Sequence, residues 1–165
     1  MAYVAPPFFI TGQVLAAGDL DDMSGDISDL DRRTSPVGAV VATNETTTST
    51  GYANLATAGP AVTVIIGATG KALVSLHSAV ANATGSLASY YGFAVSGATT
   101  LAASDATAIG FTAPVANGGI RTGTTILLTG LAAGSTTFTA KYRMDPGVGP
   151  ATFVDRRISV CPLGS

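Results

Sequence analysis

The stretch STTFTAKYRM, residues 135–144, alternates along its length: Phe138, Ala140 and Tyr142 fall on one face, Thr137, Thr139, Lys141 and Arg143 on the other. A period of two is the signature of a strand with one buried and one solvated face. Moving outward, 151–161 (ATFVDRRISVC), 124–129 (TTILLT), 107–113, 89–96 (SYYGFAVS), 71–80 (KALVSLHSAV) and 61–66 (AVTVII) are short runs rich in β-branched and aromatic residues. Turn sequences separate them: Gly67-Ala-Thr-Gly70, Asn82-Ala-Thr-Gly85, Asn117-Gly118-Gly119, Gly130 to Gly134 and Asp145-Pro146-Gly147. Many short strands at this spacing predict an all-β domain, a sandwich, jelly roll or barrel. Within SYYGFAVS, alternation sends Tyr91 and Phe93 to the core and Tyr90 to the opposite face, where it is a candidate surface contact for a sugar or a subunit.

Composition narrows the class. Of 165 residues, 47% are apolar and 11% charged, with 28 Ala, 23 Thr, 20 Gly and no Trp. That apolar content argues against disorder, and no apolar run approaches the ~20 residues of a membrane span. Residues 1–7 (MAYVAPP) lack the basic and apolar regions of a secretory signal, so none is expected. Residues 1–31 hold six aspartates and no base, whereas 32–165 hold four acids and eight scattered bases. Nucleic-acid binders cluster their bases among aromatics. Neither nucleic acid nor membrane is expected as a partner.

The N-terminal region reads differently from the rest. In residues 1–17, Pro6-Pro7 forbids helix and favours an extended path, and Phe8, Phe9 and Ile10 follow with little local structure to bury them. The segment is either a strand of its own domain or an attachment arm that packs on a neighbouring subunit or partner. Residues 19–33 (DLDDMSGDISDLDRR) predict a short helix in which Leu20, Met23, Ile27 and Leu30 are spaced 3, 4 and 3, the spacing of a coiled-coil seam. Such a helix is marginal alone in water, so its narrow stripe needs a cover: a self-associating bundle of two or three chains, or its own domain. The expected organisation is an arm over 1–17, an oligomerising helix over 18–34, a linker over 35–50 and a β-sandwich or jelly-roll domain over 51–165.

The sequences that approach catalytic and metal motifs lack residues those motifs require. Gly67-Ala-Thr-Gly70-Lys71 departs from a phosphate loop at Ile65 and Ala72 and suits a hairpin turn. An EF-hand loop from Asp19 would place Met23, Ser24 and Leu30 at positions that need an oxygen ligand, Gly and Glu. The single His77 has no nucleophile elbow to serve, and after residue 45 only Asp105, Asp145 and Asp155 remain as acids, none forming a facing pair for glycoside hydrolysis. One Cys (Cys161) and one His exclude an intrachain disulfide and a single-chain Cys/His zinc site; Cys161 is expected as a small buried apolar residue. No catalytic residue, metal ligand or cofactor site is expected, and the chain reads as a non-enzyme.

The stretch 71–163, with KALVSLHSAVANATG, YYGFAVSGATTLAASD, LLTGLAAGSTTFTAKYRM and ATFVDRRISVCPL, resembles β-domains of small structural proteins of tailed actinobacterial phages. FITGQVLAAGDLDDMSGDI resembles the short lead that precedes such domains in fibre and minor virion proteins. The resemblance implies a homotrimeric jelly roll, similar in shape to tumour-necrosis-factor and complement heads, in a virion protein made in the host cytoplasm. It implies a capsid decoration protein gripping the major capsid protein, or a minor tail or fibre protein joined to a tail protein and touching a host surface glycan. The absence of a long shaft sequence favours the decoration protein. A glycan-binding module or depolymerase is the alternative of another class.

Overall fold

The computed structural model describes residues 17–164. The arm residues Phe8, Phe9 and Ile10 lie outside the described residues. Helix α1 (Ala17–Thr34) is followed by nine strands: β1 (Val37–Val41), β2 (Glu45–Thr47), β3 (Ala61–Ile66), β4 (Lys71–Asn82), β5 (Ala88–Gly97), β6 (Ile109–Thr112), β7 (Gly119–Leu128), β8 (Gly134–Met144) and β9 (Ala151–Leu163). One sheet runs β1-β9-β4-β7, with β2 also paired to β9; the other runs β3-β8-β5-β6. All pairings are antiparallel. From β2 onward the chain crosses repeatedly between the sheets, which is the path of a jelly roll.

Alternation explains which faces meet. In β8, Phe138, Ala140 and Tyr142 are fully buried, as are Val74 and Leu76 of β4 and Tyr91 of β5. Tyr91 stacks on Tyr142 at 5.2 Å between ring centroids, and Phe153 tilts against Tyr142 at 5.0 Å. Both phenols keep a partner inside the core: the Tyr91 hydroxyl donates to the Arg157 carbonyl at 2.7 Å and Tyr142 to the Gly59 carbonyl at 2.8 Å. Without those acceptors, burying each hydroxyl would oppose folding.

Two expectations need correction. Residues 35–50 are not a linker: Val37–Val41 and Glu45–Thr47 pair with β9 and extend the first sheet. Neither VGAVV nor ETT alternates polar and apolar residues in sequence, and pairing with β9 decides their conformation. Cys161 is half-buried rather than buried. It pairs in register with Leu73 on the outer face of the sheet, away from the core.

Strand β9 carries a bulge. Val154 is opposite Ala79 and Arg157 opposite His77, so Asp155 and Arg156 together face Ser78. Asp155 takes a φ of 50°, which the extra residue imposes. The inserted residue shifts the parity of the strand and turns Arg156 into the core. The buried Ser78 hydroxyl bridges the gap, donating to Ala79 O at 2.9 Å and Val154 O at 3.0 Å.

Candidate functional site

Three groupings of side chains stand out, and they differ in chemistry. The first is the apolar stripe of α1. Leu20, Met23, Ile27 and Leu30 are 51%, 38%, 65% and 55% exposed. The helix forms because Asp19 opens its first turn, where an acid suits the dipole, and it ends where Pro36 follows Ser35. The Ser35 N–H closes the last turn on Asp31 O at 2.8 Å. Only Ser35 and Pro36 separate α1 from β1.

The second grouping is the outer face of the β1-β9-β4-β7 sheet. Register places Cys161, Leu73 and Leu127 in one row, Gly38, Ser159, Ser75 and Thr125 in the next, with the Ser75 and Thr125 hydroxyls hydrogen-bonded at 2.9 Å, then Val40, Arg157, His77 and Gly123, and Val154, Ala79 and Arg121 beyond the bulge. The His77 ring lies across Gly123, so close that a Cβ there would overlap Nδ1. The centre of the face is therefore flat. Arg121 Nη2 pairs with Asp155 Oδ2 at 2.6 Å, which holds the Asp155 carboxyl below the usual range. A shallow groove of about 260 Å³ runs past Ala79, Ala81, Gly119, Ile120 and Val154.

The third grouping sits on the opposite sheet. Arg143 lies 3.8 Å above the Tyr90 ring and donates from Nε to Asp105 Oδ1 at 2.8 Å, with Nη2 also on Asp105. Tyr52 donates to the same carboxylate at 2.9 Å. The Arg143 hydrogen bonds hold Asp105 below its usual range, while desolvation and then Asp105 push the Tyr52 phenol up. Arg143 is held still more firmly cationic by Asp105. These shifts lock each group in its ordinary neutral-pH charge state, the reverse of what proton-transfer catalysis needs. The cluster is a clamp joining the loops at 52 and 105 to β5 and β8. Tyr90, read from sequence as a surface contact, is half-buried under the Arg143 guanidinium.

Sequence reasoning missed two of these features. The outer face was not singled out because β4 reads as an ordinary strand: Leu73, Ala79 and Ala81 share that face with Lys71, Ser75 and His77. The Arg143 clamp depends on Tyr52 and Asp105, whose separation in sequence gives no local signal. Among the described residues, no three His, Cys, Asp or Glu side chains converge as a metal-binding group, and no helix is long and apolar enough to cross a membrane.

No family model matches the chain, and no curated protein matches it. Among solved structures, it is similar to Eiger TNF from S. frugiperda with a TM-score of 0.52 at 10% identity, over 81% of this chain and 95% of that one. A structure of infectious bursal disease virus Gx strain aligns with a TM-score of 0.42 at 10% identity, over 79% of this chain and 33% of that one. The likeness to the Eiger structure is one of fold: two antiparallel sheets wound as a jelly roll.

Proposed function

We propose that this chain is a non-enzymatic structural protein of a virus particle, a homotrimer whose α1 stripe forms the oligomer seam and whose N-terminal arm attaches it. The observation that supports self-association is the apolar stripe of Leu20, Met23 and Ile27, which stands exposed on α1, a helix joined to β1 through Ser35 and Pro36 and in contact with β9. An 18-residue helix with one narrow apolar face gains its stability from packing that face. A bundle of three copies covers the stripe without asking anything of the sandwich core, which is already full.

The particle assignment rests on the resemblance of 71–163 and of the N-terminal lead to phage structural proteins. The Arg143 cluster, in which Asp105 is bound by Arg143 and Tyr52, fits a structural clamp. Within the particle, the proposal is a decoration protein held on the major capsid protein by Phe8, Phe9 and Ile10.

Two measurements test this. Light scattering on the purified chain gives a trimer mass at micromolar concentration. Antibody-labelled electron microscopy of particles that encode the chain places it as knobs on the capsid. Labelling at the tail instead moves the protein to the tail or fibre class, and particles without the chain overturn the virion reading.

A further inference from the structure

We infer that Asn117 is a modification site, converting spontaneously to aspartate and isoaspartate through a cyclic imide closed by the backbone nitrogen of Gly118. The chemistry needs an asparagine followed by a residue without a side chain, so that the next nitrogen can reach the amide carbon. Of the four asparagines, Asn117 alone precedes a glycine; Glu45, Leu55 and Ala83 follow the others. Nothing in this chemistry depends on the virion reading.

The loop presents the reacting groups. Asn117 is exposed in the turn between β6 and β7, with a φ of 59°. The Gly118 N–H donates to Val115 O at 3.0 Å, and that bond must open before the nitrogen can attack. A turn bond of this kind contributes little net stability, so its opening slows the reaction by roughly two- to tenfold relative to a free peptide. The other asparagines are worse placed. Asn82 is fully buried and its amide donates to Ser89 Oγ at 3.0 Å, while Asn54 accepts from Lys141 Nζ at 2.7 Å. Asn44 is exposed, but the side chain of Glu45 crowds the nitrogen that would attack.

The atoms balance with water as the one co-reactant. The Gly118 nitrogen gives its proton to hydroxide and bonds to Cγ of Asn117. The Cγ–Nδ2 bond breaks, and the amide nitrogen leaves as ammonia after taking a proton from water. Water then opens the five-membered imide. Cleavage at Cγ gives aspartate; cleavage at the main-chain carbonyl of residue 117 gives isoaspartate, whose backbone runs through Cγ and is one carbon longer.

The turn is tight for that longer backbone. A Cβ at Gly118 would already lie 2.9 Å from Val115 O. The Gly118 carbonyl also accepts the Asn82 N–H at 3.2 Å, so isoaspartate strains the bond that holds the end of β4. Either product puts a carboxylate on residues 112–120 (TAPVANGGI), which carry no charge. The change falls far from α1. Gly119 pairs with Ala81 and Ala81 with Thr152 near the start of β9, whereas Val37, beside α1, pairs with Val160 near its end.

The test incubates the full-length protein in mildly alkaline buffer beside a synthetic peptide of residues 113–121, with tryptic digestion and mass spectrometry at intervals. Exchange of NH2 for OH is expected at Asn117, with isoaspartate among the products. The expected rate rises with pH and lies about two- to tenfold below that of the peptide. Asn44 is expected to stay intact over the same interval. Asn117→Gln, checked for its fold by circular dichroism, is expected to lose the change, because its ring would need six members; mapping in the wild type stands without it. Amide exchange at Asn82 is expected to quicken in the isoaspartate form. If the peptide converts while Asn117 of the folded protein stays an amide, or if Asn44 converts equally fast, the inference is overturned. Unchanged exchange at Asn82 in the isoaspartate form would overturn its structural consequence.

Discussion

Nη1 of Arg156 lies 3.0 Å from Oε2 of Glu45, and the Arg156 side chain has no exposure to solvent. The bulge at Asp155 aims this cation inward, where Nη2 also donates to Thr43 Oγ1 at 3.0 Å and the guanidinium sits 5.3 Å from the Tyr142 ring centroid. Glu45 in turn accepts from the Thr57 N–H at 3.1 Å and from its hydroxyl. One ion pair therefore fastens β2 and the loop at 57 to β9.

Neutralising the carboxylate of this pair is expected to cost more than removing the cation, because Glu45 keeps its hydrogen bonds from Thr57 when Arg156 is gone. Glu45→Gln leaves a buried guanidinium without its counter-charge, an expected loss of about 3 kcal/mol in urea unfolding. Arg156→Met removes the charge with much of the volume retained, and the expected loss is smaller. Equal losses for the two would show that the packing of the stem, not the charge, holds the site.

Acidification is expected to weaken the fold through the same carboxylate. The Thr57 hydroxyl, the largest stabilising influence, and Arg156 hold Glu45 below the ordinary range, and Arg143 does the same for Asp105. A depressed folded-state pKa contributes stability above the unfolded value near pH 4, which is lost as pH falls through the folded value. Stability measured by chemical unfolding should therefore fall below about pH 5, and Glu45→Gln should flatten that slope. An unchanged slope in the variant would remove Glu45 from the cause.

Backbone geometry gives a third test. Gly70 has a φ of 62°, and a Cβ there would lie 2.5 Å from Leu131 O. That carbonyl belongs to a residue whose own N–H donates to Gly70 O at 3.0 Å, so neither side can withdraw without losing a bond. Gly70→Ala is expected to destabilise by roughly 2 kcal/mol or more, read as a lower urea midpoint. The Gly-Ala-Thr-Gly-Lys sequence is thus a turn fixed by its second glycine, whose N–H donates to Gly67 O at 3.1 Å.

The alternation of Phe138, Ala140 and Tyr142 made the fold class legible, because each of those residues is buried by its own strand's period. Edge strands were not legible in the same way. Residues 37–41 and 45–47 are strands through hydrogen bonds to β9, a partner more than a hundred residues away in sequence. The buried Arg156 left a trace that can be read afterwards: Ala151 and Phe153 point inward at odd positions, Ile158 and Val160 at even ones. That change of parity requires an inserted residue between them, and the insertion is what turns a charged side chain inward. Exposed apolar residues are harder to foresee, since the exposure of Leu127 or Ile27 depends on elements that no local pattern specifies.

The seam prediction isolates the helix. Ile27 is 65% exposed, so Ile27→Asp is expected to leave the sandwich intact by circular dichroism. In a bundle it sets three carboxylates against one another in an apolar layer, where burying charge is unfavourable by several kcal/mol. If the proposed trimer holds, light scattering should then show monomers at concentrations where the wild type associates. Trimers that persist would mean the stripe is not the seam.

The last prediction separates attachment from fold. In the proposed reading, Phe8, Phe9 and Ile10 are buried on the major capsid protein rather than on the sandwich. Area bookkeeping for three such side chains gives roughly 5–8 kcal/mol per chain before ordering costs, and three arms on one trimer reinforce one another through effective concentration. Among the described residues, Tyr91, Tyr142, Phe138 and Phe153 pack together between the two sheets. Deleting residues 1–16 should therefore leave a folded, soluble trimer, with its thermal midpoint near that of the full chain, that no longer binds particles. A truncated chain that aggregates or melts far lower would make the arm a strand of its own domain. One that folds and still binds particles as tightly as the full chain would place attachment in the sandwich, and the arm would lose its role.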